Sequence, residues 1–189
     1  MKVDILMVGV GGQGIVLASD IVCDVALLEG YDVKKSEIHG MAQRGGSVVS
    51  HVRIANKVYS PVIPFGQADI IVSFEYMEFL RYLGYKNEDT KLLLNTNKIY
   101  PPSVTMAEAD YPEDTVENYK TKFATLVEKD GLKLAEKAGN VKAVSTVMLG
   151  ALAKMLDFKK DSWLEVIKDR VPSKVVDVNI KAFELGYAD

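Results

Sequence analysis

Val3-Asp4-Ile5-Leu6-Met7-Val8-Gly9-Val10-Gly11-Gly12-Gln13-Gly14 is an apolar run that breaks into glycine, and Ile15-Val16-Leu17-Ala18 resumes it. Gly9-x-Gly11-x-x-Gly14 between two apolar segments reads as strand, tight turn, helix. Glycines let the backbone turn sharply and approach a bound group, while the helix start offers N–H groups to an anion. The stretch therefore predicts a phosphate- or dinucleotide-type cradle built from Gly9, Gly11, Gly12, Gln13 and Gly14. A purely structural turn that packs strand against helix is the alternative use of the same residues.

Working outward, a first helix is expected from about Gly14 to Leu28, stopping at Glu29-Gly30, with Tyr31–Ser36 as a second strand. In a nicotinamide-binding unit, an acidic side chain ends that strand roughly 20 residues past the glycines and holds the ribose. Asp32 stands at the start of the strand and Glu37 just past its end, so neither position fits. That argues against a self-sufficient nicotinamide- or flavin-dependent reductase.

Ile38-His39-Gly40-Met41-Ala42-Gln43-Arg44-Gly45-Gly46 is a glycine-rich loop leading into Ser47–Ile54, which partly alternates as a strand does. A turn at Ala55-Asn56-Lys57 and a return strand at Val58–Ile63 predict a hairpin here, and so an antiparallel addition to the sheet. Ala68–Glu75, Lys91–Thr96 and Phe123–Glu128 read as further strands, with a short helix after Glu75. Four helices follow, at Leu132–Ala138, Val141–Leu156, Asp161–Asp169 and Ser173–Leu185, with Asp161 and Ser173 as N-caps. The expected fold is α/β: one domain over residues 1–189, with a mainly parallel Rossmann-like sheet, an antiparallel hairpin addition and a helical C-terminal part from about 130.

Composition narrows the function. A net charge of −3 gives no clustered basic footprint, so no nucleic-acid partner is expected. No apolar run reaches the roughly 18 to 20 residues a bilayer requires, and the N-terminus has no basic region with a small-residue cleavage site. The expectation is a cytoplasmic protein with no membrane partner. Cys23 is the only cysteine, so it forms no internal disulfide and cannot ligate an iron–sulfur cluster. With His39 and His51 the only histidines, no metal site is expected either, and Cys23 reads as a packing residue.

The chemistry-bearing candidates are few. Arg44, in the flexible setting of Gly45 and Gly46, suits bidentate pairing with a phosphate or carboxylate; pairing with Glu37 or a subunit contact is the alternative. His39 titrates near neutrality and is a candidate acid–base, or else makes a hydrogen bond or an interface contact. His51 reads as structural. Glu75 ends a parallel strand, where open α/β sheets place functional side chains, though it equally suits a pair with Arg81 or a helix cap. Ser145, Gly150, Ala151 and Ala153 make a small-residue stretch that predicts close packing against a helix or a partner.

Gly9 to Gly14, followed by Ser36-Glu37-Ile38-His39-Gly40-Met41-Ala42-Gln43-Arg44-Gly45-Gly46-Ser47-Val48, resembles the gamma-type component of 2-oxoacid:ferredoxin oxidoreductases. The wording His-Gly-Met-Ala-Gln-Arg-Gly-Gly is most similar to the indolepyruvate branch of that family. The resemblance implies an oxygen-sensitive heteromer that oxidatively decarboxylates aryl 2-oxoacids, using coenzyme A and reducing ferredoxin. It places thiamine diphosphate, magnesium and [4Fe-4S] clusters in a large alpha subunit. This chain, catalytically incomplete alone, would complete the active site and the coenzyme A environment. A pyruvate- or 2-oxoglutarate-type relative would share the architecture, and a non-catalytic binding module for coenzyme A or a nucleotide is the alternative of another class.

Overall fold

The opening run forms β1 (Val3–Val10), and every one of its residues is buried. Cover on both faces is why the run shows no polar alternation. The computed structural model describes residues 1–40, 46–100, 102–106, 109–111, 123 and 125–188.

β1 lies inside a six-stranded sheet of order β2-β3-β1-β4-β5-β6. The other strands are β2 (Asp32–His39), β3 (Ser47–Ala55), β4 (Ala68–Ser73), β5 (Lys86–Asn95) and β6 (Leu126–Lys129). β1, β4, β5 and β6 pair in parallel, while β3 runs antiparallel to both β1 and β2. The expected mainly parallel sheet with an antiparallel addition is present.

The hairpin itself is a different one. β3 pairs with β2 across the glycine loop, Ile38 opposite Val49, and stands between β2 and β1. Residues 58–63, expected as its return strand, form no strand. Pro61 has no N–H to give a ladder. The Val58 N–H donates to Asp32 Oδ2 at 2.9 Å and the Ile63 N–H to His51 Nδ1 at 3.2 Å, so these donors serve side chains instead.

Seven helices are described: α1 (Ile15–Leu28), α2 (Tyr76–Arg81), the single turn α3 (Pro102–Thr105), α4 (Gly131–Ala138), α5 (Val144–Ala153), α6 (Lys160–Arg170) and α7 (Val176–Ala188). α1 ends at Glu29-Gly30 as expected. The two expected N-caps are not caps. Lys159 caps α6 and leaves Asp161 in its first turn, while Ser173 opens a 3₁₀ turn after Pro172. An acidic side chain in a first turn still suits the positive end of the helix dipole.

Side chains on β1 divide by the period of two. Val3, Ile5 and Met7 pack with α1 and the C-terminal helices, including Trp163 and Phe183. Leu6 and Val8 face the other way, onto Phe79, Leu92 and Leu94. α5 and α7 cross in close contact: a Cβ on Gly150 would stand 2.1 Å from the Phe183 carbonyl oxygen, and one on Gly186 1.9 Å from that of Val147. No helix among the described residues is long and apolar enough to cross a membrane.

Candidate functional site

The carboxyl ends of β1, β4 and β5 lie side by side, where open α/β sheets bind ligands. The glycine turn sits there. Gly12 (φ 98) and Gly14 (φ 77) hold left-handed backbone that a side chain would strain, and Gly14 opens α1 with no side-chain cap.

Gln13 ties this turn to its neighbours. Its Oε1 accepts from the Val10 N–H at 2.8 Å and its Nε2 donates to the Phe74 carbonyl at 2.8 Å. Asn95 Nδ2 donates to the same carbonyl at 3.0 Å, and Asn95 Oδ1 accepts from the Gly131 N–H at 3.0 Å. Gly9 is closed in, since a Cβ there would meet Gln13, Ile15 and Phe74 at 2.7 to 2.9 Å. Of these two residues expected to bind a cofactor, Gly9 is enclosed as part of the frame, whereas Gln13 both ties the turn together and borders a cleft beside Gly12 and Gly14. Asn95 escaped the sequence reading because a buried asparagine at a strand end looks like any loop polar residue.

The structure joins the turn to the glycine-rich loop. The Gly11 N–H donates to the Gly46 carbonyl at 2.8 Å, so this group, expected to hold an anion, is engaged within the chain. The loop closes through Gly40 N–H to Ser47 O at 2.8 Å. Beyond it, Ser47 Oγ donates to the buried Glu78 carboxylate at 2.5 Å. Arg44 and Gly45 lie outside the described residues.

His39, at the end of β2, lines a cleft of about 560 Å³ together with Gly11, Gly12, Asp20 and Val48. The polar groups at this rim already pair with one another. Lys35 bonds to Asp20 and, at 2.5 Å, to Glu37, whose other oxygen lies 3.3 Å from His39 Nε2. Partial burial raises the Glu37 pKa, but the bonds from Lys35 and His39 outweigh it and leave the carboxyl below its ordinary range. Partial burial likewise opposes charge on Lys35, and its two carboxylate partners prevail.

Glu75 is fully buried and caps α2. It accepts from the Met77, Glu78 and Ile99 N–H groups at 2.7, 3.0 and 3.0 Å and from the Tyr111 hydroxyl at 2.6 Å. Arg81 pairs with Glu78 instead. Of the uses open to Glu75, the cap is the one formed. His51 is buried against Tyr85 and accepts the Ile63 N–H through Nδ1, a structural role as expected. Burial pushes the half-buried Cys23 thiol up to about 12, which fits an inert packing residue. Asp32 sits at the opposite end of the sheet from the glycine turn, beside Ala55, out of reach of anything bound there. Among the described residues no group of three His, Cys, Asp or Glu side chains could hold a metal ion.

Residues 4–188 match the family model for pyruvate ferredoxin/flavodoxin oxidoreductase. The chain is 41% identical to the indolepyruvate oxidoreductase subunit IorB of Archaeoglobus fulgidus, over 99% of this chain and 94% of that protein. It is 40% identical to the subunit of the same name from Thermococcus kodakarensis, over 97% and 93% of the two chains. Among solved structures, the pyruvate oxidoreductase subunit PORC of Thermotoga maritima superposes with a TM-score of 0.77 at 24% identity, covering 100% of this chain and 96% of that one. With family match, relatives and fold in agreement, the chain belongs to the pyruvate ferredoxin/flavodoxin oxidoreductase family.

Proposed function

We propose that this chain is the accessory subunit of a heteromeric aryl-2-oxoacid:ferredoxin oxidoreductase of the indolepyruvate type. The assembly converts an aryl 2-oxoacid and coenzyme A to the aryl-acyl thioester and carbon dioxide, passing the electrons to ferredoxin. The observation that carries the reading is the 2.8 Å bond from Gly11 to Gly46, which joins the glycine turn and the His39-to-Gly46 loop at the carboxyl end of β1. Near-full-length likeness to two archaeal indolepyruvate subunits supports the substrate class.

The chemistry divides between chains. Thiamine diphosphate with magnesium supplies the carbanion chemistry and [4Fe-4S] clusters the electron path, both in the large subunit, since one cysteine here cannot ligate a cluster. This chain's part is to wall the site. The α1 N-terminus presents N–H groups to an anionic group, Gly12 permits close approach, and Arg44 is the side chain suited to pair with phosphate or carboxylate. His39 stands at the same rim, held by Glu37.

Purification of the native protein tests this. The chain should elute with a larger chain that carries thiamine diphosphate and iron, and the complex should prefer aryl over short-chain 2-oxoacids. Elution alone would overturn the subunit reading, and a preference for pyruvate or 2-oxoglutarate would overturn the substrate class.

A further inference from the structure

The glycine turn has a second open side, away from His39. There a cleft of about 540 Å³ is walled by Gly12, Gly14, Asn97, Lys142 and Ser145. Leu17, Leu132 and Val144 give it an apolar lining.

Ser145 is only 5% exposed, and its hydroxyl has no hydrogen-bond partner among the described residues. Its Oγ stands 2.9 Å from where a Cβ on Gly14 would lie, so it flanks the first turn of α1. A hydroxyl that the fold leaves without a partner at the wall of a cleft is available to donate to a ligand atom. α1 is 14 residues long and has no side-chain cap, and its N-cap Gly14 and first-turn Leu17 line this cleft. Lys142 comes one turn before Ser145, exposed and without an ion-pair partner among the described residues. The other cleft shares Gly12, Gly14 and the start of α1, but its charged rim is already paired within the chain: Lys35 is bound to Asp20 and Glu37, and His39 leans on Glu37.

We propose that the cleft between the glycine turn and α5 binds the oxyanion head, carboxylate or phosphate, of a ligand whose apolar body lies on Leu17, Leu132 and Val144. Ser145 Oγ donates to the head, Lys142 supplies opposite charge, and the α1 N-terminus completes the cradle. The site stands on its own geometry and rests on the subunit reading only for the ligand's source. An aryl 2-oxoacid and coenzyme A both carry such a head on such a body.

Calorimetric titration of the full chain with phenylpyruvate, coenzyme A and inorganic phosphate separates the sources. Saturable binding of phenylpyruvate assigns the head to the 2-oxoacid, and of coenzyme A to a phosphate ester; either supports the site. Ser145→Ala should weaken that binding about tenfold, and Lys142→Met about threefold, with thermal unfolding unchanged. Amide resonance shifts on binding should centre on Gly12, Gly14 and Ser145. Binding of inorganic phosphate alone would mean an adventitious ion only and would overturn the proposal. So would unchanged affinity in both variants, shifts centred on Asp20 and Val48, or no binding by any probe. A chain that fails these tests yet still elutes with its larger partner loses this site and keeps the subunit reading.

Discussion

The side-chain amide of Gln13 reaches across the sheet's carboxyl edge and donates to the carbonyl of Phe74 at 2.8 Å, while its oxygen accepts the Val10 N–H at 2.8 Å. One side chain thus fixes the glycine turn to the end of β4. Gln13→Ala leaves the N–H of buried Val10 without an acceptor, at a cost of about 2 kcal/mol. The loss should appear as a lower urea midpoint with an unchanged m-value.

The α5–α7 crossing leaves no room for a methyl group at either glycine, since the obstructing atoms are backbone oxygens about 2 Å away. Gly186→Ala and Gly150→Ala should each cost about 3 kcal/mol or more, well beyond what a gain in helix propensity returns. Differential scanning calorimetry should show a large drop in Tm, or no cooperative transition.

Glu75 is surrounded by four donors, so an uncharged replacement cannot serve them all. Glu75→Gln puts amide hydrogens where the site has only donors, and is expected to destabilise by about 3 kcal/mol. Tyr111→Phe removes one donor and should cost about 1 kcal/mol. In a double-mutant cycle the pair should couple, and strict additivity would deny the bond between them. Burial and the Glu75 carboxylate also raise the Tyr111 phenol pKa. Its ionisation should therefore be missing from an alkaline ultraviolet titration, by comparison with Tyr111→Phe.

His51 gives the fold a pH dependence of defined sign. Burial lowers its pKa, and Nδ1 must stay unprotonated to accept the Ile63 N–H. The unfolded chain then binds a proton that the folded chain refuses, so stability declines as pH falls below about 6.5 and levels off below the folded-state pKa. In His51→Asn, whose Oδ1 can accept the same N–H, denaturation midpoints should show less loss between pH 7 and 5.

Much of this was legible in residue order. The Gly9-to-Gly14 turn stood out because glycines interrupt an otherwise unbroken apolar run, and both its flanking elements formed where expected. The small-residue stretch around Gly150 announced close packing, although only the structure shows the carbonyls of α7 as the reason. Strand partners were not legible. Alternation in Ser47–Ile54 marks a strand, but pairing depends on the whole sheet, and Val58–Ile63 looks as β-prone as Asp32–His39. The site was half legible. The glycines and the His39-to-Gly46 loop were evident in order, whereas Asn95, Asn97 and Lys142 reach the turn only through tertiary contact, with no local pattern to mark them.

The central claim is that this chain supplies one wall of an active site whose cofactors belong to another chain. Its most direct test is phenylpyruvate- and coenzyme A-dependent reduction of ferredoxin by the purified large subunit, with and without this chain. The account predicts negligible turnover from either chain alone and full turnover when they are mixed in equimolar amounts. Full turnover by the large subunit alone would contradict it.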